Sequence, residues 1–232
     1  MKKAGIFKKI SILVLVLVVP GFLYYLLTSQ GKNRYKPLPI FGPKQLAKTS
    51  HRVKGKNIPD TIFHILPDFK LTAQNGDEVS LKTFDDKILV AGFFYTHCPD
   101  VCKLMNKNIS FLDSIYKKNK MVDFVSITVD PDRDSISALK NYSKTLNPSA
   151  KWLFLTGDTS ATYNLARKGF LVNALQINKN DFIYSDKLVL IDKNKRIRGY
   201  YTGASTDEVN RLDDEIKVLI SEELRKKDIP LY

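Results

Sequence analysis

The stretch KILVAGFFYTHCPDVCKLM, residues 87 to 105, decides how the rest of the chain is read. Its first half is a continuous apolar run of strand length, the pattern of a central strand buried on both faces. Its second half carries Cys98 and Cys102, the only two cysteines among 232 residues. The pattern turns from strand to helix at Pro99, a residue favoured at a first helical position because its missing N–H would find no partner there. From that point Cys98, Cys102, Met105, Ile109, Leu112 and Tyr116 follow one another by four and three residues, one stripe of an amphipathic helix. Both thiols therefore face the same way, about 6 Å apart by helix geometry.

Two thiols so placed can form a disulfide, a redox pair, a soft-metal site, or simply two small buried hydrophobes. The helix start favours a negative sulfur, so Cys98 is expected to have a lowered pKa and to be the nucleophile of the two. The spacing suits a disulfide once the first turn adjusts, and it lets both sulfurs hold one ion such as Cu(I). As a structural staple the pair is a poor choice, because the stabilisation from a cross-link falls with the size of the loop it closes.

Working outward, MVDFVSITVD reads as a second buried strand and DSISALKNYSKTLN as a helix with Asp134 as N-cap. KWLFLT is a third strand, DTSATYNLAR a short helix, and KLVLID with RIRGYY a hairpin across Lys193-Asn194-Lys195. Ser205-Thr206-Asp207-Glu208 forms a capping box for a last helix whose apolar face is Val209, Leu212, Ile216, Leu219 and Leu224. Upstream, TIFHILPDFKL and DEVSL are two short strands joined by the turn Gln74-Asn75-Gly76-Asp77. Strands alternating with helices, then a hairpin and a final helix, describe an α/β fold: a thioredoxin-like mixed sheet flanked by helices.

The N-terminus belongs to a different class. Residues 10 to 27, ISILVLVLVVPGFLYYLL, carry no charge and approach the roughly 20 apolar residues that span a bilayer. Lys2, Lys3, Lys8 and Lys9 before the run orient that end to the cytoplasm, and Tyr24 and Tyr25 suit the far interface. The expected organisation is a cytoplasmic N-terminus over residues 1 to 9, a transmembrane signal-anchor over 10 to 27, a Lys/Pro/Gly-rich tether over 28 to 58, and the thioredoxin-like domain over 59 to 232. This puts the domain on the outer, periplasmic side of the cytoplasmic (inner) membrane. A cleaved signal peptide is the rival, opposed by a run longer than the usual apolar core of about 7 to 15 residues. The net charge of +13 falls to +9 without the four anchor lysines, and the remaining charge is scattered. That distribution indicates a solvated basic surface and no nucleic-acid partner.

THCPDVC after one apolar strand, TVDPDRD after the next, FLTGD after the third and the closing LVLIDKNKRIRGYY together resemble the SCO/SenC family, across roughly residues 60 to 225. These are membrane-anchored thioredoxin-fold proteins that serve cytochrome c oxidase assembly. The resemblance implies that Cys98 and Cys102 bind copper and deliver it to the oxidase's binuclear copper centre, or reduce that centre's cysteines. The implied partner is the copper-centre subunit or another thiol protein. Family members add a histidine eight residues before the end of the strand written here as LVLID, and this chain has Tyr184 there. A phenol is a hard oxygen donor, so a sulfur-only site is expected to favour Cu(I) over Cu(II).

The remaining candidates have plainer readings. His97 adjoins Cys98 but suits a loop role, His64 lies in a strand-like segment, and His51 in the tether. Asp130, Asp132 and Asp134 read as a turn and an N-cap rather than as a metal cluster, and Met105 as core rather than as a third soft donor. Two other functions stay open: a membrane-tethered thiol-disulfide oxidoreductase without copper, and a peroxidase in which Cys98 attacks peroxide and Cys102 resolves the sulfenic acid.

Overall fold

The structure, a computed structural model, describes residues 3–29, 37–53, 56–98, 100–176 and 182–228. At some positions within these ranges, Tyr184 among them, only the backbone is described. Two compact units divide the chain, Met1–Lys36 and Pro37–Tyr232. The first holds helix α1 (Lys3–Ser29). Its Ile12, Leu13, Leu15, Val16 and Leu17 are exposed, although among the described residues no helix is long and apolar enough to cross a membrane.

The second unit begins with a separate antiparallel hairpin, β1 (Lys44–Val53) and β2 (Lys56–Phe63). Then come β3 (Lys70–Ala73), β4 (Glu78–Ser80), a 3-10 turn Leu81–Phe84 and β5 (Ile88–Phe94). Helix α2 (Asp100–Tyr116) leads to β6 (Val122–Thr128), and α3 (Ile136–Leu146) to β7 (Trp152–Thr156). After α4 (Thr159–Asn164) and a π-helical turn Leu165–Gly169, the short pair β8 (Ala174–Gln176) and β9 (Phe182–Tyr184) precedes β10 (Lys187–Ile191), β11 (Ile197–Thr202) and α5 (Thr206–Asp228).

Seven strands form one sheet in the order β11-β10-β5-β6-β7-β3-β4. Strands β5, β6 and β7 are parallel, and every other neighbour is antiparallel. The central β5 is buried along its whole length, which is why seven consecutive positions carry no polar side chain. Helix α2 packs on β6 and against α3 and α5, while α5 reaches β5 and β11. The stripe Cys102, Met105, Ile109, Leu112 and Tyr116 is the buried face of α2, as its spacing predicts. Polar staples fix the helix in place: Tyr116 donates to Asp213 of α5 at 2.7 Å, and Asp113 accepts from the amide and hydroxyl of Ser149 at 2.8 and 2.6 Å.

Several expectations change. Residues 44–53 and 56–58, read as tether, belong to the β1–β2 hairpin, and the compact unit opens at Pro37. Most side chains of these two strands are exposed among the described residues, so the segment has no apolar alternation and does not read as a pair of strands. Asp134 is not an N-cap: Ser135 caps α3 by accepting from the Ala138 amide at 3.3 Å. Leu224 is exposed, and Glu223 takes the inward position. In the expected strand TIFHILPDFKL only the two ends pair, within β2 and β3. Pro99 lies outside the described residues.

Buried charge ties the start of this unit to its end. Arg198 donates to Asp192 at 3.1 Å, to Glu222 of α5 at 3.1 Å, and to the carbonyls of Leu38 and Pro39 at 2.7 and 3.1 Å. Glu222 accepts in turn from the Leu38 amide at 2.9 Å. Removing Arg198 leaves Glu222 and the Leu38 and Pro39 carbonyls without this donor, Asp192 keeping only Arg196, which is far costlier than losing a surface pair. Arg198→Ala is therefore expected to lower the unfolding free energy by about 3 kcal/mol, read as an earlier urea midpoint. Lys217→Ala, whose partner Asp213 is met at the surface, should change it by less than about 1 kcal/mol.

Candidate functional site

At the C-terminal ends of the parallel strands β5 and β6, the chain leaves the sheet in two loops, residues 95–98 and 129–135. That edge is where open α/β sheets carry their sites. The two strand ends are tied by the Val129 amide, which donates to the Phe94 carbonyl at 2.8 Å. The first loop turns at once, the Cys98 amide donating back to the Tyr95 carbonyl at 3.1 Å. Helix α2 then starts at Asp100.

Cys98 and Cys102 are brought together as a disulfide with their Cα atoms 5.8 Å apart. Cys102 is fully buried, and Cys98 keeps 6% of its surface exposed. Both sulfurs are thus engaged with each other, and of the two residues Cys98 is the less deeply buried. Beneath Cys102, Met105 is also fully buried. A Cβ on Gly203 would sit 2.5 Å from the Met105 Cγ and 3.0 Å from the Asp186 carbonyl oxygen, so only glycine lets the β11–α5 loop approach here. Met105 is core, as expected.

A buried carboxylate holds the first loop. Asp134 has no solvent exposure, and its Oδ2 accepts from the Thr96 amide at 2.9 Å and from the Thr128 hydroxyl at 2.5 Å. The Thr96 hydroxyl donates to its Oδ1. The second loop closes on itself: the Asp130 amide donates to the Thr128 hydroxyl at 3.0 Å, the Asp134 amide to the Asp130 carbonyl at 2.9 Å, and Arg133 to the Asp130 carboxylate. Burial pushes the Asp130 carboxyl above its ordinary value, and the Arg133 guanidinium beside it pulls the other way. Asp130 and Asp134 therefore brace the loops, while Asp132 is exposed and accepts from Thr159 at 3.1 Å. Among the described residues no group of three or more histidine, cysteine, aspartate or glutamate side chains is arranged to hold a metal.

The histidines stand apart from the sulfurs in bonding. His97 is exposed, with Nδ1 3.0 Å from the Thr96 hydroxyl. His64 lies 2.7 Å from the Gly169 carbonyl, and His51 pairs with Asp60 at 2.6 Å. Tyr184 ends β9, its backbone paired with Ala174, and its side chain lies outside the described residues. Strand β10 runs antiparallel to β5, so its start shares an end of the sheet with Cys98.

Residue spacing finds the cysteines but not Thr96 or Thr128, which together with Asp134 hold them in place. The only hint is a hydroxyl at each point where an apolar strand stops. A buried polar side chain there needs a partner, and Asp134 is the acceptor within reach.

The family model described as SCO1/SenC matches residues 60–220. A SCO2-like protein of Rickettsia typhi is 28% identical over 208 residues, covering 87% of this chain and 94% of the relative. Among solved structures, a SCO1/SenC family lipoprotein of Bacillus anthracis aligns with a TM-score of 0.63 at 28% identity, covering 68% of this chain and 95% of that one. ScoI of Bradyrhizobium japonicum, solved with copper bound, aligns with a TM-score of 0.56 at 28% identity, covering 65% and 98%.

Removing the Asp134 carboxylate leaves one amide and two hydroxyls without their acceptor beside a fully buried position. Asp134→Ala is expected to cost about 3 kcal/mol of unfolding free energy, and to speed hydrogen exchange of the Thr96 amide at least about tenfold by local opening. Asp134→Asn, which keeps one acceptor oxygen, should fall between the two. If the Thr96 amide exchanges equally fast in all three proteins, the carboxylate does not hold the loop.

Proposed function

The chain belongs to the SCO1/SenC family, and from that membership we propose that its Cys98/Cys102 pair binds copper and exchanges disulfides in the maturation of the binuclear copper centre of cytochrome c oxidase. The observation that carries the reading is the pair itself, set at the end of a central strand with Cys98 the less deeply buried of the two and its loop braced by a buried carboxylate. The copper of the Bradyrhizobium relative supports the metal half. The closed disulfide supports the redox half.

The electron count is simple. In the dithiol form, the Cys98 thiolate attacks one sulfur of a partner disulfide and displaces the other as a thiolate. Cys102 then attacks the Cys98 sulfur and releases the second partner thiol. The partner gains two electrons, and the pair ends as the disulfide seen here.

Copper binding requires the same dithiol state, since a disulfide offers no thiolate. Copper is cargo on this reading. Two soft sulfurs suit Cu(I), whereas Cu(II) prefers more nitrogen and oxygen neighbours. The described histidines contact Thr96, Gly169 and Asp60, and the family's histidine position is filled by Tyr184, so the donor set is sulfur alone. The alternative is a thiol-disulfide oxidoreductase without copper, favoured by that same tyrosine.

Titration of the reduced protein is expected to show one equivalent of Cu(I) with two sulfur neighbours by X-ray absorption and no imidazole nitrogen, and Cys98→Ser should abolish tight binding. Tyr184→His should raise Cu(II) affinity about tenfold or more. A nitrogen neighbour in the wild type would mean that a histidine has joined the site. Failure of both proteins to bind copper would leave the oxidoreductase reading.

We propose further that α1 anchors the protein in the cytoplasmic membrane with the second unit on the outer side. Support comes from the uncharged run 10–27 after four lysines and from its helical conformation. The protein should stay with membranes after an alkaline wash, and a reporter fused after Tyr232 should be active only outside the cytoplasm. Release into the wash would sink the anchor.

A further inference from the structure

Helix α2 holds a carboxamide inside its buried face, close to the sulfurs. Asn106 has no solvent exposure, and its amide nitrogen donates to the Tyr142 hydroxyl of α3 at 2.7 Å. The Tyr142 ring packs in turn on Phe94, the last residue of β5, with ring centroids 5.3 Å apart. That bond fixes which end of the carboxamide faces the tyrosine. The other end, Oδ1, is buried and has no hydrogen-bond partner among the described residues. A buried acceptor left unpaired is uncommon and costs free energy, so it needs a reason. Cys102 supplies one. It stands one helical turn earlier and is equally buried. Positions four apart on a helix are neighbours, about 5–6 Å between Cβ atoms, and a helical side chain leans toward the N-terminus over the preceding turn. Asn106 therefore leans toward Cys102. In the disulfide that sulfur has no hydrogen to give.

We propose that Asn106 is a positioning residue for the redox pair: its Oδ1 accepts the Cys102 S–H in the dithiol and is left unpaired in the disulfide, which biases the pair toward the reduced form. The inference rests on the thiol-disulfide half of the function proposed above and names what sets its balance. Reduction creates the missing donor. Reduced dithiothreitol gives up two electrons and two protons and closes to its own cyclic disulfide, while the Cys98–Cys102 bond breaks and each sulfur gains a hydrogen. An S–H is a weak donor, but the bias is a difference between two states, and only the disulfide state carries the unpaired acceptor. The Asn106 bond to Tyr142 involves neither sulfur and cancels in that difference.

The test is the equilibrium of the full chain with a buffer of reduced and oxidised dithiothreitol, for wild type, Asn106→Leu and Asn106→Ala. In both variants the ratio of dithiol to disulfide at a fixed buffer is expected to fall about tenfold, a two-electron potential lower by about 30 mV. A residue with only a packing role would lower the unfolding midpoint of both redox forms alike and leave this ratio where it was. Infrared spectroscopy reads the bond itself and does not depend on how the Asn106 variants fold. In Cys98→Ala, where Cys102 is the only thiol, the S–H stretch should lie below that of a free thiol, and it should move up when Asn106→Leu is added. Equal ratios in all three proteins, or a Cys102 stretch at the free-thiol frequency, would overturn the role of Asn106 and leave the proposed function intact. A ratio that rises in the variants would mean that the amide turns its N–H to the sulfur, and would overturn it too. A wild-type pair that dithiothreitol never opens would overturn both this role and the thiol-disulfide function.

Discussion

Strand β5 has no side in contact with solvent, and most of the second unit follows from that constraint. A strand buried on both faces needs hydrogen-bonding neighbours on both edges and a layer above and below. The parallel partner β6 and the antiparallel partner β10 supply the edges. α2 lies over β6, and α5 reaches β5. The same constraint governs the strand's end. Where β5 stops, its backbone must find partners within one or two residues, and the turn from Tyr95 to Cys98 together with the Phe94 to Val129 link provides them.

The site is a product of that abrupt ending. A loop with so few residues between a buried strand and a helix cannot wander, but the polar groups on its inner side face the buried end of the sheet. Asp134 resolves the conflict by accepting from the Thr96 amide and from two hydroxyls. The carboxylate is itself costly to bury, and the three hydrogen bonds it accepts offset that cost. Cys98 then projects from a braced turn rather than from a mobile one, and its partner sulfur sits on the first turn of a helix anchored by Met105, Ile109 and Leu112.

How much of this could be read from residues alone depended on whether an element's own period reported its burial. The stripe from Cys102 to Tyr116 and the run from Ile88 to Phe94 did, because each is packed along its whole length and periodicity records burial. The β1–β2 hairpin did not, since strands whose described side chains are mostly exposed have no buried face to alternate with. Asp134 was misassigned for a related cause. Aspartate before a helix is an N-cap on local grounds, yet Ser135 was equally able to cap, and a non-local demand from Thr96, 38 residues earlier in the chain, took the carboxylate. The cysteines were visible by type and spacing, and the residues that position them were not, because their partners come from another strand.

The disulfide and the copper site use the same two sulfurs, so on the proposed reading the two functions are linked thermodynamically. Cu(I) binds only the dithiol, and any ligand that binds one of two states pulls the equilibrium toward it. Each tenfold by which free Cu(I) exceeds its dissociation constant then raises the two-electron potential of the pair by about 30 mV. A copper-rich surrounding keeps Cys98 and Cys102 reduced and loaded, and a copper-poor one lets them act as reductant and close. On the same reading, Tyr184 in place of the family's histidine would weaken the metal side of that balance, because the third donor that would tighten copper is absent from the sequence while both cysteines are kept. A chain of this composition should therefore spend its electrons at copper concentrations where a relative with the histidine would still hold the metal.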